Sequence, residues 1–173
     1  MSKRLLLQPD LVLGGVITDL TPDILQANQI EGLILDVDET LVPIRESNIT
    51  PDLAHWADEM KQVASIWLVS NNLSRSRIGG IAKALDLPYF LGAKKPSRKK
   101  LYEAAMRMNL PANKVAMVGD RLFTDVMAGN RLGMFTILVE PMVDPTIAHR
   151  GFPIRDLEVW LSSKLGISLT KNK

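Results

Sequence analysis

Apolar residues in this chain fall into short unbroken runs that alternate with stretches of helical spacing. Gly32-Leu33-Ile34-Leu35 is one such run, and it ends in Asp36. Thr50-Pro51 then reads as a helix start, a capping hydroxyl followed by proline at the first helical position. Leu53, Trp56, Ala57 and Met60 recur at the spacing of one helical face. Ile66-Trp67-Leu68-Val69 predicts a second strand ending at Ser70, and Ser74 predicts the cap of a helix bearing Ile78, Ile81, Ala82 and Leu85. Tyr89-Phe90-Leu91 predicts a short third strand. Ser97 is expected to open a third helix with Leu101, Ala104, Ala105 and Met108 inward. Val115 to Val118 predicts a fourth strand running into Gly119-Asp120, and Phe135 to Val139 a fifth. Between them a short helix through Val126 to Leu132 should stop at Gly133, which tolerates a left-handed conformation.

Strands alternating with helices predict an α/β fold, a parallel sheet covered on both faces with right-handed crossovers. Three apolar pieces, Leu5–Leu7, Leu11–Leu13 and Val16–Ile17, fall outside the predicted sheet and are expected to pack on the core; membrane contact is the competing reading. Pro141 to Pro153 is the loosest stretch. It precedes an expected last helix with Ile154, Leu157, Trp160, Leu161 and Leu165, and Thr170–Lys173 should fray.

Composition narrows the chemistry. The 173 residues amount to one domain, expected to have its core at 30–140, an entry segment at 1–29 and a helix and tail at 150–173. Cysteine is absent, which excludes disulfide scaffolds, thiolate metal sites and cysteine nucleophiles. His55 and His149 are the only histidines, so no three-histidine metal centre can form. Twelve aspartates remain, and carboxylates with hard cations become the expected tools. No signal peptide or membrane span is recognised, so a cytoplasmic location is expected, with the inner membrane face as a variant.

The charge is uneven. Residues 1–86 carry 7 basic and 12 acidic residues, whereas 87–173 carry 14 and 7. The densest run, Lys94, Lys95, Arg98, Lys99 and Lys100, reads either as a solvated helix start or as an anion-attracting rim for phosphate or acidic headgroups. Nucleic acid is not expected, because no aromatic residue interleaves with the run.

In an open parallel sheet, ligands bind beyond the carboxyl ends of the strands. Four of those ends carry Asp36-Val37-Asp38-Glu39-Thr40, Ser70-Asn71-Asn72, Lys94-Lys95-Pro96 and Gly119-Asp120 followed by Thr124-Asp125. Any one aspartate after a strand is usually a turn or cap residue, but the ordered set fits phosphoryl transfer. Asp36 can act as nucleophile toward phosphorus, and Asp38 can protonate the leaving oxygen and then activate water. Ser70 can donate to a phosphoryl oxygen, and Lys95 supplies a point charge, with Lys94 as the substitute if Lys95 points away. Thr40 and Asn71 complete the expected phosphate-binding set. Mg²⁺ would relieve the repulsion between anions, with Asp120 as a second carboxylate ligand. Asp125 either holds a metal-bound water or orients Lys95.

Asp36-Val37-Asp38-Glu39-Thr40-Leu41, Ser70, Lys95-Pro96 and Gly119-Asp120-Arg121-Leu122-Phe123-Thr124-Asp125 together resemble the four motifs of the haloacid-dehalogenase (HAD) superfamily. The resemblance implies a three-layer Rossmann-like sandwich. It implies Asp36 as nucleophile and Asp38 as acid/base. Mg²⁺ would be bound by the Asp36 carboxylate, the Asp38 carbonyl and Asp120, with Asp125 close by. Residues 119–133 are similar to the YqeG-type group of subclass IIIA, which includes phosphatidylglycerophosphate phosphatases. Glu39 and Arg121 depart from that pattern, which commonly has Asn and Gln there. The gaps from Asp36 to Ser70 (34 residues) and from Ser70 to Lys95 (25 residues) leave no room for a lid domain. A capless site suits a phosphate on something large, a lipid foremost. The alternatives are a soluble sugar phosphate, nucleotide or polynucleotide end as substrate, or a non-catalytic binding protein on the same fold.

Overall fold

The computed structural model describes residues 5–142 and 163–170. Six strands form one parallel sheet: β1 (Leu11–Val12), β2 (Gly32–Leu35), β3 (Ser65–Val69), β4 (Tyr89–Phe90), β5 (Val115–Gly119) and β6 (Phe135–Leu138), in the order β1-β6-β5-β2-β3-β4. β2 follows α1 (Pro22–Ala27) and is central and buried along its whole length. From it the chain builds outward to β3 and β4, then crosses back to β5 on the other side. The carboxyl ends of β2 and β5 therefore flank the topological switch point, where a crevice opens in such sheets.

Side chains of β2 alternate between the faces, as strand geometry requires. Leu33 and Leu35 pack with Leu53, Trp56 and Met60 of α2 (Pro51–Lys61) and Ile78 and Ile81 of α3 (Arg75–Leu85). Ile34 faces the other layer, with Leu101, Ala104 and Ala105 of α4 (Lys99–Met108) and Ala128 of α5 (Met127–Leu132). The result is the expected three-layer α/β/α sandwich. Both predicted hydroxyl caps of α2 and α3 form: Thr50 accepts from Leu53 N–H at 3.2 Å and Ser74 from Arg77 N–H at 3.3 Å. Gly133 ends α5 at φ +74°, a left-handed stop.

Two expectations change. Leu11–Val12 is not outside the sheet; it pairs parallel to β6 and forms an edge of the sheet. A two-residue strand is too short to show a period in sequence. Its pairing is made by distant partners: Thr136 N–H donates to the Asp10 carboxylate at 2.8 Å, and Leu13 N–H to Leu138 O at 3.0 Å. Ser97 does not cap α4. Its N–H closes a turn onto Lys94 O at 2.9 Å, and Arg98 at the cap position already has helical angles.

The entry segment belongs to the core. Leu13, Ile17, Leu20 and Leu25 are buried, and Trp56 Nε1 donates to Leu20 O at 2.8 Å. Leu7 is buried with Leu122, Val126 and Ile167, while Leu5 and Leu6 are exposed. The helix expected at Ile154, Leu157, Trp160 and Leu161 lies outside the described residues; Leu165 is exposed. Ser168 exchanges two 2.9 Å hydrogen bonds with the Gln8 side chain, tying the chain's far end to the entry segment. Among the described residues, no helix is long and apolar enough to cross a membrane.

Candidate active site

Asp36 is the first residue beyond β2, and its N–H still bonds across the sheet to Val118 O at 3.0 Å. That ladder bond sets its carboxylate beside the end of β5. Lys95 reaches the same point from the segment after β4. Its Nζ donates to Asp36 Oδ1 at 2.6 Å and to Val69 O at 2.9 Å, and lies 2.8 Å from Asp125 Oδ1. Lys95 thus points inward, whereas Lys94 is exposed. Asn71 braces the Lys95 backbone from both sides: its Oδ1 accepts from Lys95 N–H at 2.7 Å and its Nδ2 donates to Lys95 O at 3.3 Å.

Asp120 follows β5, and Asp125 sits on a wide π-type turn, Leu122–Val126, that leads into α5. Such turns re-aim side chains out of the regular helical path. Here the turn folds Asp125 over Gly119 so closely that a Cβ on Gly119 would lie 2.2 Å from Asp125 Oδ2. Glycine at 119 is therefore a condition for the burial of Asp125. Thr40 donates its hydroxyl to Asp120 Oδ1 at 3.0 Å, holding that carboxylate toward Asp36.

This centre is buried and charge-unbalanced. Three carboxylates face one ammonium, and Asp36, Lys95, Asp120 and Asp125 are each less than 10% exposed. Burial, with the charge of Asp125 adding to it against the pull of Lys95, pushes the Asp36 carboxyl up to about 6. Burial and then the charges of Asp125 and Asp36 push Asp120 up to about 8. For Lys95, burial works to lower the ammonium's pKa, but Asp125 and Asp36 outweigh it and the net shift is upward. Oxygens of Asp36, Asp120 and Asp125 lie within 4.8 Å of one another. Asp125 Oδ1 is buried and makes no well-aligned hydrogen bond despite its nearby lysine. An all-oxygen donor set with excess negative charge and a spare buried lone pair fits a hard divalent cation.

Above this centre opens a cleft of about 190 Å³ lined by Asp36, Asp38, Asn71, Lys95, Ile44, Thr124 and the Glu39–Arg121 pair. Thr40, Ser70, Asp120 and Asp125 are buried and do not line it. Ser70 Oγ accepts from Asn72 N–H at 3.0 Å. Glu39 and Arg121, the two departures from the common HAD pattern, meet each other with charged groups 3.6 Å apart. Glu39 has φ +62°, a conformation that Asn adopts more readily than Glu.

The sequence did not reveal what holds Asp38. Arg77 Nη1 makes a very close contact with Asp38 Oδ1, and Asn72 Nδ2 donates to Oδ2 at 3.1 Å. The available signal was a pair of cations, Arg75 and Arg77, in the first turn of α3, where the helix dipole disfavours them; nothing in the sequence tells which one reaches Asp38. The basic run also divides: Lys95 enters the site, Lys100 lies 4.5 Å over the Phe90 ring and pairs with Glu103, and Arg98 and Lys99 stay on the surface.

Comparison with known proteins bears on family and fold. The family model described as mitochondrial PGP phosphatase matches residues 1–144. The Bacillus subtilis (strain 168) protein named probable phosphatase YqeG is 37% identical over 143 residues, covering 82% of this chain and 81% of that protein. The chloroplastic phosphatidylglycerophosphate phosphatase 1 of Chlamydomonas reinhardtii is 31% identical over 127 residues, covering 68% of this chain; the match spans about half of the algal protein (47%). Among solved structures, a hydrolase from Legionella pneumophila classed with HAD subfamily III A superposes with a TM-score of 0.53 at 16% identity, covering 73% of this chain and 74% of that one. A hypothetical protein from Xanthomonas campestris gives 0.53 at 21% identity, covering 80% and 79%. At such identities the likeness speaks to the fold, while the sequence matches speak to descent. The chain belongs to the mitochondrial PGP phosphatase family and is a phosphatase on the fold of the HAD hydrolases.

Proposed function

We propose that this phosphatase hydrolyses phosphatidylglycerophosphate to phosphatidylglycerol in two steps, carrying the phosphoryl group on Asp36, with Mg²⁺ as its cation. The observation that supports the mechanism is the burial of Asp36 with Lys95, Asp120 and Asp125 under a cleft that is open among the described residues. Asp36, Asp120 and the Asp38 carbonyl would hold Mg²⁺, with Asp125 close by, and the ion would supply neutralisation of phosphoryl oxygens and in-line orientation.

In the first step an Asp36 oxygen attacks phosphorus, the bond from phosphorus to the glycerol oxygen breaks, and Asp38 protonates that oxygen. In the second, Asp38 takes a proton from water, whose oxygen attacks phosphorus. The bond to Asp36 then breaks and inorganic phosphate leaves. Lys95 holds Asp36 in line and offsets its charge as the anionic substrate approaches. Asn71 holds Lys95 by its backbone, and Ser70 and Thr40 support the floor.

The lipid reading draws on the family match and on the size of the cleft. About 190 Å³ admits a phosphate and part of the glycerol, so the remainder of the substrate stays outside. A lipid phosphate satisfies that geometry, and the enzyme would meet it by peripheral contact with a membrane face. The test is phosphate release from phosphatidylglycerophosphate, sugar phosphates and nucleotides, with Mg²⁺ or with chelator. The expected result is the highest kcat/KM for phosphatidylglycerophosphate, loss with chelator, and a fall of about 1,000-fold or more in Asp36→Asn. An Asp36→Asn variant as active as wild type overturns the mechanism. A better soluble substrate overturns the lipid assignment alone.

A further inference from the structure

We propose that Arg77 is a positioning residue for the reaction: from the first turn of α3 it fixes the carboxyl group of Asp38 toward the leaving oxygen and clamps the loop that carries Ile44. The inference rests on the assignment of Asp38 as acid/base.

Three donors of one guanidinium converge here. Nη1 binds Asp38 Oδ1, Nη2 donates to Pro43 O at 3.1 Å, and Nε donates to Glu46 O at 2.9 Å. Asn72 holds the second Asp38 oxygen. Each carboxylate oxygen therefore has one partner and keeps one lone-pair direction for the cleft. A carboxyl gripped at both oxygens cannot rotate freely, and proton transfer requires heavy atoms within about 3 Å in a set orientation.

The support behind these two residues is continuous. Asn72 N–H donates to Ser70 Oγ at 3.0 Å, Asn72 Oδ1 accepts from Ser74 N–H at 2.8 Å, and Ser74 Oγ accepts from Arg77 N–H at 3.3 Å. Ser70, Asn72, Ser74 and Arg77 thus form a rail between the end of β3 and the start of α3. Its members fix one another before they fix Asp38.

Electrostatics favours a functional reason for the arginine. A cation in the first helical turn is opposed by the helix dipole, and no acidic residue in that turn of α3 offsets it. A carboxyl held in one orientation serves both steps, since Asp38 gives a proton in the first and takes one in the second. Ile44, half exposed and lining the cleft, sits between the two carbonyls that Arg77 holds. One side chain therefore ties the proton donor to the wall of the cleft.

The experiment compares leaving groups. kcat/KM is measured for the full-length protein with p-nitrophenyl phosphate, whose leaving group needs little protonation, and with glycerol 3-phosphate, whose alkoxide needs it fully. Arg77→Met should lower the glycerol ester by about 100-fold and the nitrophenyl ester by less than about 5-fold, with KM little changed. Arg77→Lys keeps the charge but not the three-pronged fork, and should recover only part of the loss. Asp38→Asn should show the same leaving-group bias, and the double variant should be no worse than Asp38→Asn alone. Equal losses on both esters, or losses that multiply in the double variant, overturn the proposal and leave Arg77 as a fold contact. If Arg77→Met does not fold, the same ratio is read from Arg77→Lys, where an unchanged ratio overturns it. A wild type inactive on both esters and on phosphatidylglycerophosphate, or an active Asp36→Asn, overturns the parent mechanism and this inference with it. A wild type active on the lipid alone is compared with its variants on phosphatidylglycerophosphate in place of glycerol 3-phosphate, where an unaltered Arg77→Met overturns this inference. A dead Asp36→Asn beside an unbiased Arg77→Met overturns this inference alone.

Discussion

Two aspartates two residues apart in the chain sit in opposite kinds of electrostatic surroundings. Asp36 lies in a buried group of three carboxylates and one ammonium. Asp38 lies at the cleft with one carboxylate matched to one guanidinium, side chains 21% and 13% exposed. The first group is unbalanced and buried, so it needs a cation from outside. The second matches one carboxyl to one guanidinium and gathers no excess of anions. Strand geometry alone would send residues i and i+2 to one side; the loop that curls immediately after β2, closed by Leu41 N–H onto Val37 O at 2.9 Å, turns Asp38 toward α3 instead. On this difference rests the proposed division of labour, Asp36 for phosphorus and metal and Asp38 for protons.

The strongest way to break this contrast is to remove the one cation in the buried group. Lys95→Met should lower kcat by about 100-fold or more. It should also destabilise the metal-free protein by about 3–5 kcal/mol, because Asp36 and Asp125 lose a buried partner. Urea unfolding in chelator measures this, and an unchanged midpoint would mean that the group is not held together as charges.

Removing an anion should do the reverse. Asp36 and Asp120 are raised from 3.8 to about 6 and about 8. Between about pH 4 and pH 8 the folded protein therefore holds more protons than the unfolded chain, and metal-free stability falls as pH rises through that window. Lys95, raised above its usual 10.5, does not titrate there. Thermal melts in chelator should show Tm declining from pH 5 to pH 8, with Mg²⁺ restoring most at pH 8, where the carboxylates are free to bind. Asp120→Asn should flatten the decline and abolish the Mg²⁺ response. Arg77→Met should leave that response intact, and a matching loss in both variants would erase the distinction between the two groups.

The smallest effect is expected from Thr40→Val. It keeps shape but removes the hydroxyl that donates to Asp120 at 3.0 Å. The Mg²⁺ concentration for half-maximal activity should rise by about 10-fold with little change in Tm. No change would place Thr40 outside the control of the metal ligands.

Much of this arrangement was legible in the chain. Unbroken apolar runs marked β2, β3 and β5, because a strand buried on both faces needs continuous apolar residues. The polar residues at their ends then had to gather at one edge, since all the strands run parallel. What could not be read were contacts made by side chains across long separations. Leu11–Val12 becomes a strand only through β6. Thr40 finds Asp120 80 residues away, and Arg77 finds Asp38 39 residues away. Ser97 looked like a cap, but the turn onto Lys94 displaced it from that role.

The sequence by itself determined the materials of the site. Without cysteine and with two histidines, only carboxylates, hydroxyls, amides and cations remained, and their order along the chain followed the strand ends. It also determined that no lid could fit between those ends. Tertiary structure alone decided how the charges were shared out. Lys95 went to Asp36 and Asp125, Arg77 went to Asp38, and Arg121 went to Glu39. Residue type states what a side chain can bind. Which partner it meets depends on how the loops close and on what is buried beside it, since a charge removed from water gains most from the nearest opposite charge.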